Sequence, residues 1–239
     1  MHLKAKVAVV TGATSGLGLE FSKRLVDRGS VVYGLARRAD KLAGIESELG
    51  DRFHGLKCDV SDDAQVGRAI ATALEGSDRI DILVNNAGLG RFGPVEELTL
   101  EDWDVQMNVN LRGVFLCTKA VVPVMKAQNA KSGFGGHIVN ISSVAGLVGN
   151  PLLSAYNATK FGLKGFSEAL MKEVREDGIK VTCFYPGSIQ TEFFDTAGVP
   201  ISAQPLSATD IGPTLVHVLE TPDNYLISEV VMRPLRPNG

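Results

Sequence analysis

The sequence lacks the features that mark several classes of protein. It contains only three cysteines, Cys58, Cys117 and Cys183, and an odd, widely spaced set disfavours a disulfide framework or a thiolate metal site. The histidines show no ligand spacing such as His-x-x-x-His, so we expect surface or loop residues and no bound metal. The four are His2, His54, His137 and His217. Only His137, which enters an apolar strand, warrants a check for proximity to a pocket.

Excess basic charge and long apolar runs are also missing. The formal net charge of −3 argues against a nucleic-acid partner, which would need a basic face. No stretch approaches the ~20 apolar residues of a membrane span, and the first residues lack the apolar run and cleavage site of a signal peptide. We therefore expect a cytoplasmic protein without nucleic-acid or membrane partners.

The composition suits one globular domain that spans residues 1–239, with 44% hydrophobic and 21% charged residues. Short apolar, β-branched runs alternate with helical segments. The predicted strands are Val7–Val10, Val31–Leu35, Phe53–Lys57, Ile80–Val84, His137–Ile141, Lys180–Tyr185 and Ile227–Met232. The predicted helices are Leu17–Arg28, Asp40–Leu49, Asp62–Leu74, Asp102–Lys126, Ala155–Glu176 and Thr209–Leu219. This alternation predicts an α/β fold, a Rossmann-like doubly wound parallel sheet of about seven strands with helices on both faces.

Two segments are predicted to be loops. Ala127–Gly136 is small, polar and glycine-rich, which indicates a surface connection. Thr191–Leu206, rich in Pro, Ala and Ser, is the longest segment without clear periodicity. Loops of that length are often functional, and we expect this one to form part of a substrate site.

A glycine-rich turn joins the first predicted strand to the first predicted helix and reads Gly12-Ala-Thr-Ser-Gly16-Leu-Gly18. Glycine lets the backbone turn sharply and approach a diphosphate, and the helix N-terminus offers unpaired N–H groups to it. No Gly-Lys-Ser/Thr follows, which argues against a nucleotide-triphosphate P-loop. The residues predicted to bind a dinucleotide here are Gly12, Thr14, Ser15, Gly16, Leu17 and Gly18.

The end of the second predicted strand bears on the choice between NAD and NADP. An NAD site usually places an acid about 20 residues after the glycines, but this chain reads Leu35-Ala36-Arg37-Arg38, with no acid before Asp40. Arginine can bind a 2′-phosphate that a carboxylate would repel. We predict NADP (NADPH) as the cofactor and NAD as the less favoured one, with Arg37 as the first contact and Arg38 as the second. The alternative is that both arginines solvate the start of a helix.

Further candidates follow the third and fourth predicted strands. Asp59-Val60 and Asn85-Asn86-Ala87-Gly88 both fall at carboxyl ends, where a doubly wound sheet binds its ligand. The predicted cofactor contacts are Asp59, Val60, Asn86, Ala87 and Gly88. Asp59 could instead cap the helix that begins near Asp62.

A tyrosine and a lysine four residues apart suggest acid–base chemistry. In Tyr156-Asn-Ala-Thr-Lys160, 13 residues after Ser143, both side chains would project from one helix face. A phenol titrates near ~10 in water, and an adjacent cation favours its anion, so the pair could exchange protons with a carbonyl or an alcohol. The alternatives are a packed tyrosine with a snorkelling lysine, and a serine pair, Ser142-Ser143, that merely ends a strand.

Two further pieces are Asn110 and Pro186-Gly187-Ser-Ile189-Gln-Thr191. All these pieces follow the order found in the short-chain dehydrogenase/reductase family, which the chain resembles over essentially its whole length. The resemblance implies that Tyr156 is the general acid or base and that Ser143, at the family's interval from the tyrosine, hydrogen-bonds the substrate oxygen. It also implies that Lys160 binds the nicotinamide ribose and lowers the pKa of Tyr156, and that Asn110 holds a water of a proton relay. Further implied contacts to the cofactor come from Pro186, Gly187, Ile189 and Thr191, whereas Thr11 and Asn86 brace the central strands.

The expected function is NADP(H)-dependent reversible hydride transfer between nicotinamide and a ketone or aldehyde, or a secondary alcohol, as in a carbonyl reductase or alcohol dehydrogenase. The substrate walls are expected from Leu89–Pro94, Ala145–Leu153 and 191–206. Arg91 could bind a substrate carboxylate, as in a hydroxy-acid or serine-type dehydrogenase, or could face solvent. The apolar wall residues are Leu89, Phe92, Leu147, Val148, Leu152, Phe193 and Phe194.

Two alternatives remain. A 3-oxoacyl-thioester reductase would need a basic docking surface, for which Lys126, Lys131, Lys172 and Arg175 are too scattered in sequence to decide. A non-catalytic NADP-binding scaffold would be expected to lack the tyrosine or the lysine. The family also implies a homodimer or homotetramer formed by the helices at 102–126 and 155–176. Their apolar residues Phe115, Phe161, Phe166 and Leu170 fit either an interface or a core.

Overall fold

The computed structural model describes residues 1–191 and 203–237. The strands are β1 (Val7–Thr11), β2 (Val31–Ala36), β3 (Phe53–Lys57), β4 (Ile82–Asn85), β5 (Gly136–Ile141), β6 (Ile179–Pro186), β7 (Ile189–Gln190), β8 (Leu206–Ser207) and β9 (Glu229–Met232). The helices are α1 (Gly16–Asp27), α2 (Ala39–Leu49), α3 (Asp63–Glu75), α4 (Leu100–Met107), α5 (Gly113–Ser132), α6 (Ser154–Val174) and α7 (Ala208–Leu219). Seven strands form one parallel sheet in the order β3-β2-β1-β4-β5-β6-β9.

The sheet is buried on both faces, as the apolar runs predict. Along β1, Ala8 and Val10 belong to one hydrophobic core, and Val7 and Val9 belong to the other, because successive side chains of a strand point to opposite faces. Helices α1, α2 and α7 supply the first core, and α3, α5 and α6 supply the second. The predicted doubly wound parallel α/β fold is confirmed.

The strand order creates the cleft in which the site lies. Strands β1 and β4 are neighbours at the centre of the sheet, and the chain continues from them to opposite edges. The loops that follow these two strands therefore leave their carboxyl ends in different directions, which opens the crevice where such sheets bind ligands. The glycine-rich turn follows β1, and Asn86–Gly88 follows β4.

The single helix predicted over Asp102–Lys126 is wrong in its detail. The structure has α4, a π-helical turn over Asn108–Arg112, and α5, which continues to Ser132. Thr99 starts α4 with a capping box to Asp102, and the left-handed Gly133 ends α5. The loop predicted at Ala127–Gly136 is therefore wrong for most of its length, because its first six residues are helical and Gly136 begins β5.

The histidine prediction also needs a correction. His2 and His217 are exposed and His54 is partly buried, but His137 is fully buried within β5 rather than at the surface. Most of the predicted loop at 191–206, including Phe193 and Phe194, lies outside the described residues. Its described end forms β8, which pairs with β7 in a two-stranded sheet that the sequence did not predict.

The three cysteines, Cys58, Cys117 and Cys183, are buried and free. Burial raises the pKa of the Cys58 thiol to about 11 and that of the Cys117 thiol to about 12. Both thiols therefore stay protonated at neutral pH.

Within 1–191 and 203–237, none of the helices combines the length and apolar character that a membrane crossing needs.

Candidate active site

The glycine-rich turn has the geometry of a cradle for a bound group. Gly12 and Gly16 adopt the left-handed φ values of +66° and +52°, which glycine tolerates and side chains oppose. A Cβ at Gly12 would lie 3.0 Å from the Ala87 backbone, and one at Gly16 would lie 3.0 Å from Thr191 Cγ2. The loops after β1, β4 and β6 therefore converge here, which small residues alone permit.

The third glycine of the turn serves packing rather than the cavity. A Cβ at Gly18 would lie 2.2 Å from the Gly12 carbonyl oxygen, so glycine is needed for α1 to pack against the turn that precedes it. Gly18 is absent from the cavity wall that the described residues form. Gly18 thus has a packing role in the turn, and its predicted contact with the cofactor stays a prediction.

The predicted phosphate-binding residues lie at one end of the cavity. The side chain of Ser15, the residue before α1, makes no capping hydrogen bond, which leaves N–H groups of the first turn for an anion. Arg38 Nη2 donates to Thr14 Oγ1 at 2.9 Å and to Ser15 Oγ at 3.2 Å. Arg37 is exposed and lines the same end.

Asp59 is not the cap of the next helix. The N-cap of α3 is Asp62, whose carboxylate accepts from the Gln65 backbone N–H at 3.0 Å. Asp59 Oδ1 instead accepts from Ser61, at 2.9 Å from its backbone nitrogen and 2.7 Å from its hydroxyl. Asp59 and Val60 line the cavity, and their contact with the cofactor stays a prediction.

Thr11 and Asn86 tie the ends of β1 and β4 together. Thr11 Oγ1 accepts from the backbone N–H groups of Asn86 and Ala87, both at 2.9 Å. Asn86 Nδ2 in turn donates to the Thr11 carbonyl at 2.9 Å. These bonds fix the width of the crevice and match the bracing role that the family resemblance implies.

Ser143 and Tyr156 both line the cavity, with the Ser143 hydroxyl beside the phenol. Ser143 Oγ accepts from the Ala145 N–H at 3.1 Å and donates to the Pro186 carbonyl at 3.4 Å. Ser142 points the other way, since its hydroxyl donates to the backbone carbonyl of Lys160 at 3.1 Å. The geometry therefore favours Ser143 over Ser142 as a substrate contact.

Lys160 lies beneath the tyrosine on the next turn of α6. Its ammonium donates to the Ile141 carbonyl at 2.9 Å and lies 5.5 Å from the centre of the Tyr156 ring. Burial lowers the pKa of Lys160 to about 8. Burial also raises the pKa of the Tyr156 phenol, and the Ser143 hydrogen bond acts in the opposite direction. The implied lowering of the tyrosine pKa is thus reversed in this structure, because burial is the dominant influence.

Asn110 lies behind the cavity wall rather than in it. It occupies the π-helical turn and is fully buried. Its side-chain amide donates to the Leu89 carbonyl at 2.8 Å and to Thr159 Oγ1 at 3.2 Å, and its oxygen accepts from the Leu89 N–H at 2.8 Å. The side chain thereby holds the loop after β4 against α6.

The segment after β6 closes the far side of the cavity. Gly187 N–H donates to the Met232 carbonyl at 2.8 Å, and the Leu206 N–H donates to the Ser188 carbonyl at 2.9 Å. These bonds fix the backbone of residues 187–190 beside the glycine turn. Pro186, Gly187, Ile189 and Thr191 all line the cavity, where the resemblance places the carboxamide.

The structure brings nearly all predicted residues to one cavity of about 770 Å³, within the range of ligand sites. The predicted residues in its wall are Gly12, Thr14, Ser15, Gly16, Leu17, Arg37, Arg38, Asp59, Val60, Asn86, Ala87, Gly88, Ser143, Tyr156, Lys160, Pro186, Gly187, Ile189 and Thr191. Gly18 and Asn110 are not among them. The wall also includes residues that the sequence analysis missed, each within two positions of a predicted one, namely Leu35, Ala36, Cys58, Val109, Ile141, Val144 and Ser188.

The substrate end differs in part from its prediction. Leu89 and Phe92 line it, as do Ala145, Asn150, Pro151 and Leu153. Leu147, Val148 and Leu152, which were expected there, lie outside the wall, and the last two are exposed. Arg91 is also outside the wall, with its Nε 3.7 Å from Asp102 Oδ1.

Within the described residues, no three His, Cys, Asp or Glu side chains gather as ligands of a metal ion would. The cavity instead has the shape and the polar groups of a dinucleotide site. A long cleft runs from an arginine pair, past a glycine turn, to a tyrosine–serine pair. Such an arrangement suits a nicotinamide cofactor.

Comparisons with known proteins agree with this geometry. Residues 6–199 match the family model for short chain dehydrogenase. The serine 3-dehydrogenase of Agrobacterium fabrum is 34% identical over 241 residues, covering 95% of this chain and 93% of the relative. The 3-ketoacyl-(acyl-carrier-protein) reductase from Brucella melitensis, solved with NADH, is 29% identical with a TM-score of 0.91, covering 98% and 99% of the two chains.

A further solved structure, the closed form of serine dehydrogenase complexed with NADP⁺, is 30% identical with a TM-score of 0.86, covering 95% of this chain and 94% of that one. These similar structures include complexes with both nicotinamide dinucleotides. By fold, cavity and sequence match, this chain belongs to the short-chain dehydrogenase/reductase family of oxidoreductases.

Proposed function

We propose that this protein is an NADP(H)-dependent oxidoreductase that interconverts a ketone or aldehyde and the corresponding alcohol, with Tyr156 as the general acid or base. The observation that carries the proposal is that Tyr156, Ser143 and Lys160 lie together in the wall of the cleft that the glycine turn begins. A carbonyl oxygen placed between the two hydroxyls would meet a proton donor and a second hydrogen-bond donor.

The chain's own residues fit the cofactor. The glycine turn and the start of α1 would hold its diphosphate, Asp59 and Val60 would lie along its adenosine half, and the 186–191 segment would hold the carboxamide. Neighbouring loops lie close to where Cβ atoms of Gly12 and Gly16 would be, and this need for glycine in the turn supports the fit. When bound, the nicotinamide supplies the hydride for the carbonyl carbon or accepts one from the alcohol.

The raised pKa of Tyr156 suits the reductive direction. A buried phenol keeps its proton at neutral pH, and it can pass that proton to a carbonyl oxygen as negative charge develops there. The ammonium of Lys160, 5.5 Å from the ring centre, would then stabilise the phenolate that remains. In the oxidative direction, the same cation would favour the phenolate as the base.

Asn110 would act through its position. Both polar atoms of its side chain already bind Leu89 and Thr159, so the proposed relay water is better placed at its backbone carbonyl. A π-turn leaves carbonyl groups outside the usual helical pairing, which is why such turns recur at functional sites. A Cβ at Gly88 would lie 3.4 Å from Asn110 Oδ1 and 3.7 Å from Lys160 Nζ, so glycine allows the three residues to converge.

A 3-oxoacyl-thioester reductase is the second candidate, supported by the similarity to the 3-ketoacyl-(acyl-carrier-protein) reductase of Brucella melitensis. A basic docking surface for an acidic carrier finds less support. Lys126 pairs with Asp177 at 2.8 Å, Lys172 with Glu168 at 2.5 Å, and Arg175 with Glu176 at 3.5 Å. These acidic partners offset the positive charge that a carrier would need.

Assembly into a homodimer or homotetramer is part of the proposal. Phe115 on α5 and Phe161 on α6 are 47% and 44% exposed, which an interface would explain. Phe166 and Leu170 pack against the second core, so core burial accounts for them. The cytoplasmic location stays a prediction. Light scattering at working concentration tests the assembly, and a monomer would contradict it.

The function is tested by NADPH oxidation, followed by absorbance over a panel of ketones, aldehydes and oxo-acids. We expect Tyr156→Phe to lower turnover at least about 100-fold, the scale of acid–base catalysis, while NADPH binding by fluorescence stays nearly intact. The matched control is Tyr225→Phe, because Tyr225 is exposed and distant from the cavity. Undiminished turnover in Tyr156→Phe would refute the assignment, and NADPH binding without turnover of any substrate would favour a scaffold.

A further inference from the structure

We propose, on the basis of the function above, that the substrate is an uncharged ketone or aldehyde with apolar substituents, and that carboxylate-bearing oxo-acids are excluded. The residues that face the Tyr156–Ser143 pair carry this proposal. Apolar side chains dominate the described part of the substrate end, where the wall includes Leu89, Phe92, Val144, Ala145, Pro151 and Leu153. The polar members at this end, Asn150 and Ser188, are uncharged.

Phe92 places an aromatic wall directly beside the catalytic phenol. Its ring centre lies 5.4 Å from that of Tyr156, and the two planes meet at 76° in an edge-to-face contact. A substrate carbonyl held by the phenol would therefore have an aromatic ring next to one of its substituents. Alkyl and aryl groups gain from that contact, whereas a carboxylate would lose its hydration without a partner.

The arginine that could have received a carboxylate is held away from the cavity. The Arg91 side chain pairs with Asp102, and its backbone is fixed by the fully buried Gln106, which accepts from the Arg91 N–H at 3.1 Å and donates to its carbonyl at 3.2 Å. Phe92 lines the cavity and Arg91 does not.

Other cations are poorly placed to replace it. In the described wall, Arg37 and Arg38 lie at the phosphate end, and Lys160 is buried against the Ile141 carbonyl. The sequence of residues 192–202 contains Glu192 and Asp195 but no lysine, arginine or histidine. That stretch of sequence therefore contains no cationic side chain that could pair with a carboxylate.

The test compares matched substrates that differ only in charge. The methyl ester and the free acid of one 3-oxo acid are assayed with NADPH at pH 7, and kcat/KM is measured for each. We expect the ester to be favoured about 100-fold, which corresponds to the several kcal/mol that an unpaired buried carboxylate costs. Equal or better reduction of the acid would overturn the proposal while leaving the oxidoreductase function intact.

Two variants sharpen the comparison. Arg91→Ala should leave the ester-to-acid ratio unchanged, and a selective loss of acid reduction in this variant would show that Arg91 does bind a carboxylate and would overturn the proposal. Phe92→Arg, checked for folding by thermal melting, should shift the ratio toward the acid by supplying the missing cation. If no ketone, aldehyde or oxo-acid is reduced by the wild type, the proposed function fails and this inference fails with it.

Discussion

The guanidinium of Arg38 donates to the hydroxyl of Thr14 at 2.9 Å, and this bond joins the end of β2 to the glycine-rich turn after β1. Arg38 also reaches Ser15 Oγ at 3.2 Å. The sequence predicts Arg37 as the first contact for a 2′-phosphate, but Arg38 is the arginine already oriented over the turn. A guanidinium fixed in this way loses less conformational entropy when it binds an anion.

The first prediction concerns cofactor choice. Arg38→Ala should weaken NADPH binding about 10- to 100-fold, the scale of a lost charge-assisted hydrogen bond, and should change NADH binding far less. Arg37→Ala should show the same preference with a smaller loss. Dissociation constants for both cofactors, measured by titration at one fixed salt concentration, provide the comparison.

Arg52→Ala is a charge-matched control, because Arg52 precedes β3 at the amino end of the parallel strands, whereas Arg38 follows β2 at their carboxyl end. It should leave both dissociation constants unchanged. Equal losses for NADPH and NADH in Arg38→Ala would contradict a phosphate role. A larger loss in Arg37→Ala than in Arg38→Ala would restore the order that the sequence suggested.

A second prediction follows from Asn157, the residue after Tyr156. Its side-chain amide donates to the carbonyls of Ala145 at 2.5 Å and Val148 at 2.9 Å, and its oxygen accepts from the Asn150 N–H at 3.1 Å. Three bonds from one buried side chain fix the loop that carries Ala145 and Asn150 to the substrate wall. We therefore predict that Asn157 positions the substrate wall.

Asn157→Asp keeps the size and the acceptor but loses both donors, and it sets a carboxylate against two carbonyl oxygens. We expect KM for ketones to rise about tenfold, since each lost hydrogen bond is worth about 1 kcal/mol, with the NADPH dissociation constant unchanged. Asn129→Asp, on the far end of α5, is the control. An equal loss of NADPH binding would show a general structural defect instead.

The sequence was a good guide where function depends on backbone position. Apolar periodicity sets the ends of the strands, so the sequence alone could assign Gly12, Asp59 and Ser143 to the carboxyl end of the sheet. It was a poor guide to side-chain direction. Whether Arg91 or Phe92 enters the cavity, and whether Arg37 or Arg38 crosses to Thr14, depends on tertiary contacts with Asp102, Tyr156 and the turn.

Local environment was the other gap. The π-turn at Asn110 has no periodicity signal of its own, because it is stabilised by bonds to Leu89 and Thr159 that are distant in sequence. The pKa of Tyr156 likewise depends on burial by the whole cleft, which adjacency to Lys160 does not reveal. Sequence spacing therefore predicts which groups meet but not how their surroundings shift their proton affinities.

A third prediction concerns the stability that Lys160 costs the fold. Burial lowers the pKa of Lys160 from 10.5 to about 8, so the unfolded chain binds this proton more tightly than the folded chain does. The resulting loss in the free energy of unfolding is complete below about pH 8 and disappears as the pH rises toward 10.5. Lys160→Met should abolish turnover yet raise the free energy of unfolding at pH 7 by about 1–3 kcal/mol, after allowance for the lost bond to Ile141.

Urea unfolding at pH 7 and pH 10 measures this effect. The gain should be larger at pH 7, where the wild-type ammonium is charged in both states. Lys164→Met, one turn along the same helix and less buried, should show little gain at either pH. A Lys160→Met protein that is less stable than the wild type at pH 7 would contradict the prediction.

The last prediction concerns acid stability and His137, which lies at the centre of the sheet in β5. Its Nε2 lies 2.8 Å from Thr182 Oγ1, and the Thr182 hydroxyl donates its only proton to the Ile227 carbonyl at 2.6 Å. The histidine must therefore be the donor through Nε2, and its buried Nδ1 has no partner among the described residues. Burial, aided by the nearby Lys180 ammonium, lowers the pKa of His137 to about 3.

A depressed pKa gives stability that is complete above about pH 6.5, the ordinary value for histidine, and is lost as the pH falls toward 3. Across that window His137 should account for about 5 kcal/mol of acid destabilisation. His137→Leu removes the titrating group, and Thr182 keeps its bond to Ile227. We therefore compare the slope of the unfolding free energy against pH, measured in urea between pH 7 and pH 4. This slope should be smaller in His137→Leu than in the wild type, by the equivalent of close to one bound proton. His217→Leu, at an exposed site on α7, should keep the wild-type slope, and an unchanged slope in His137→Leu would show that the imidazole gains its proton without unfolding the sheet.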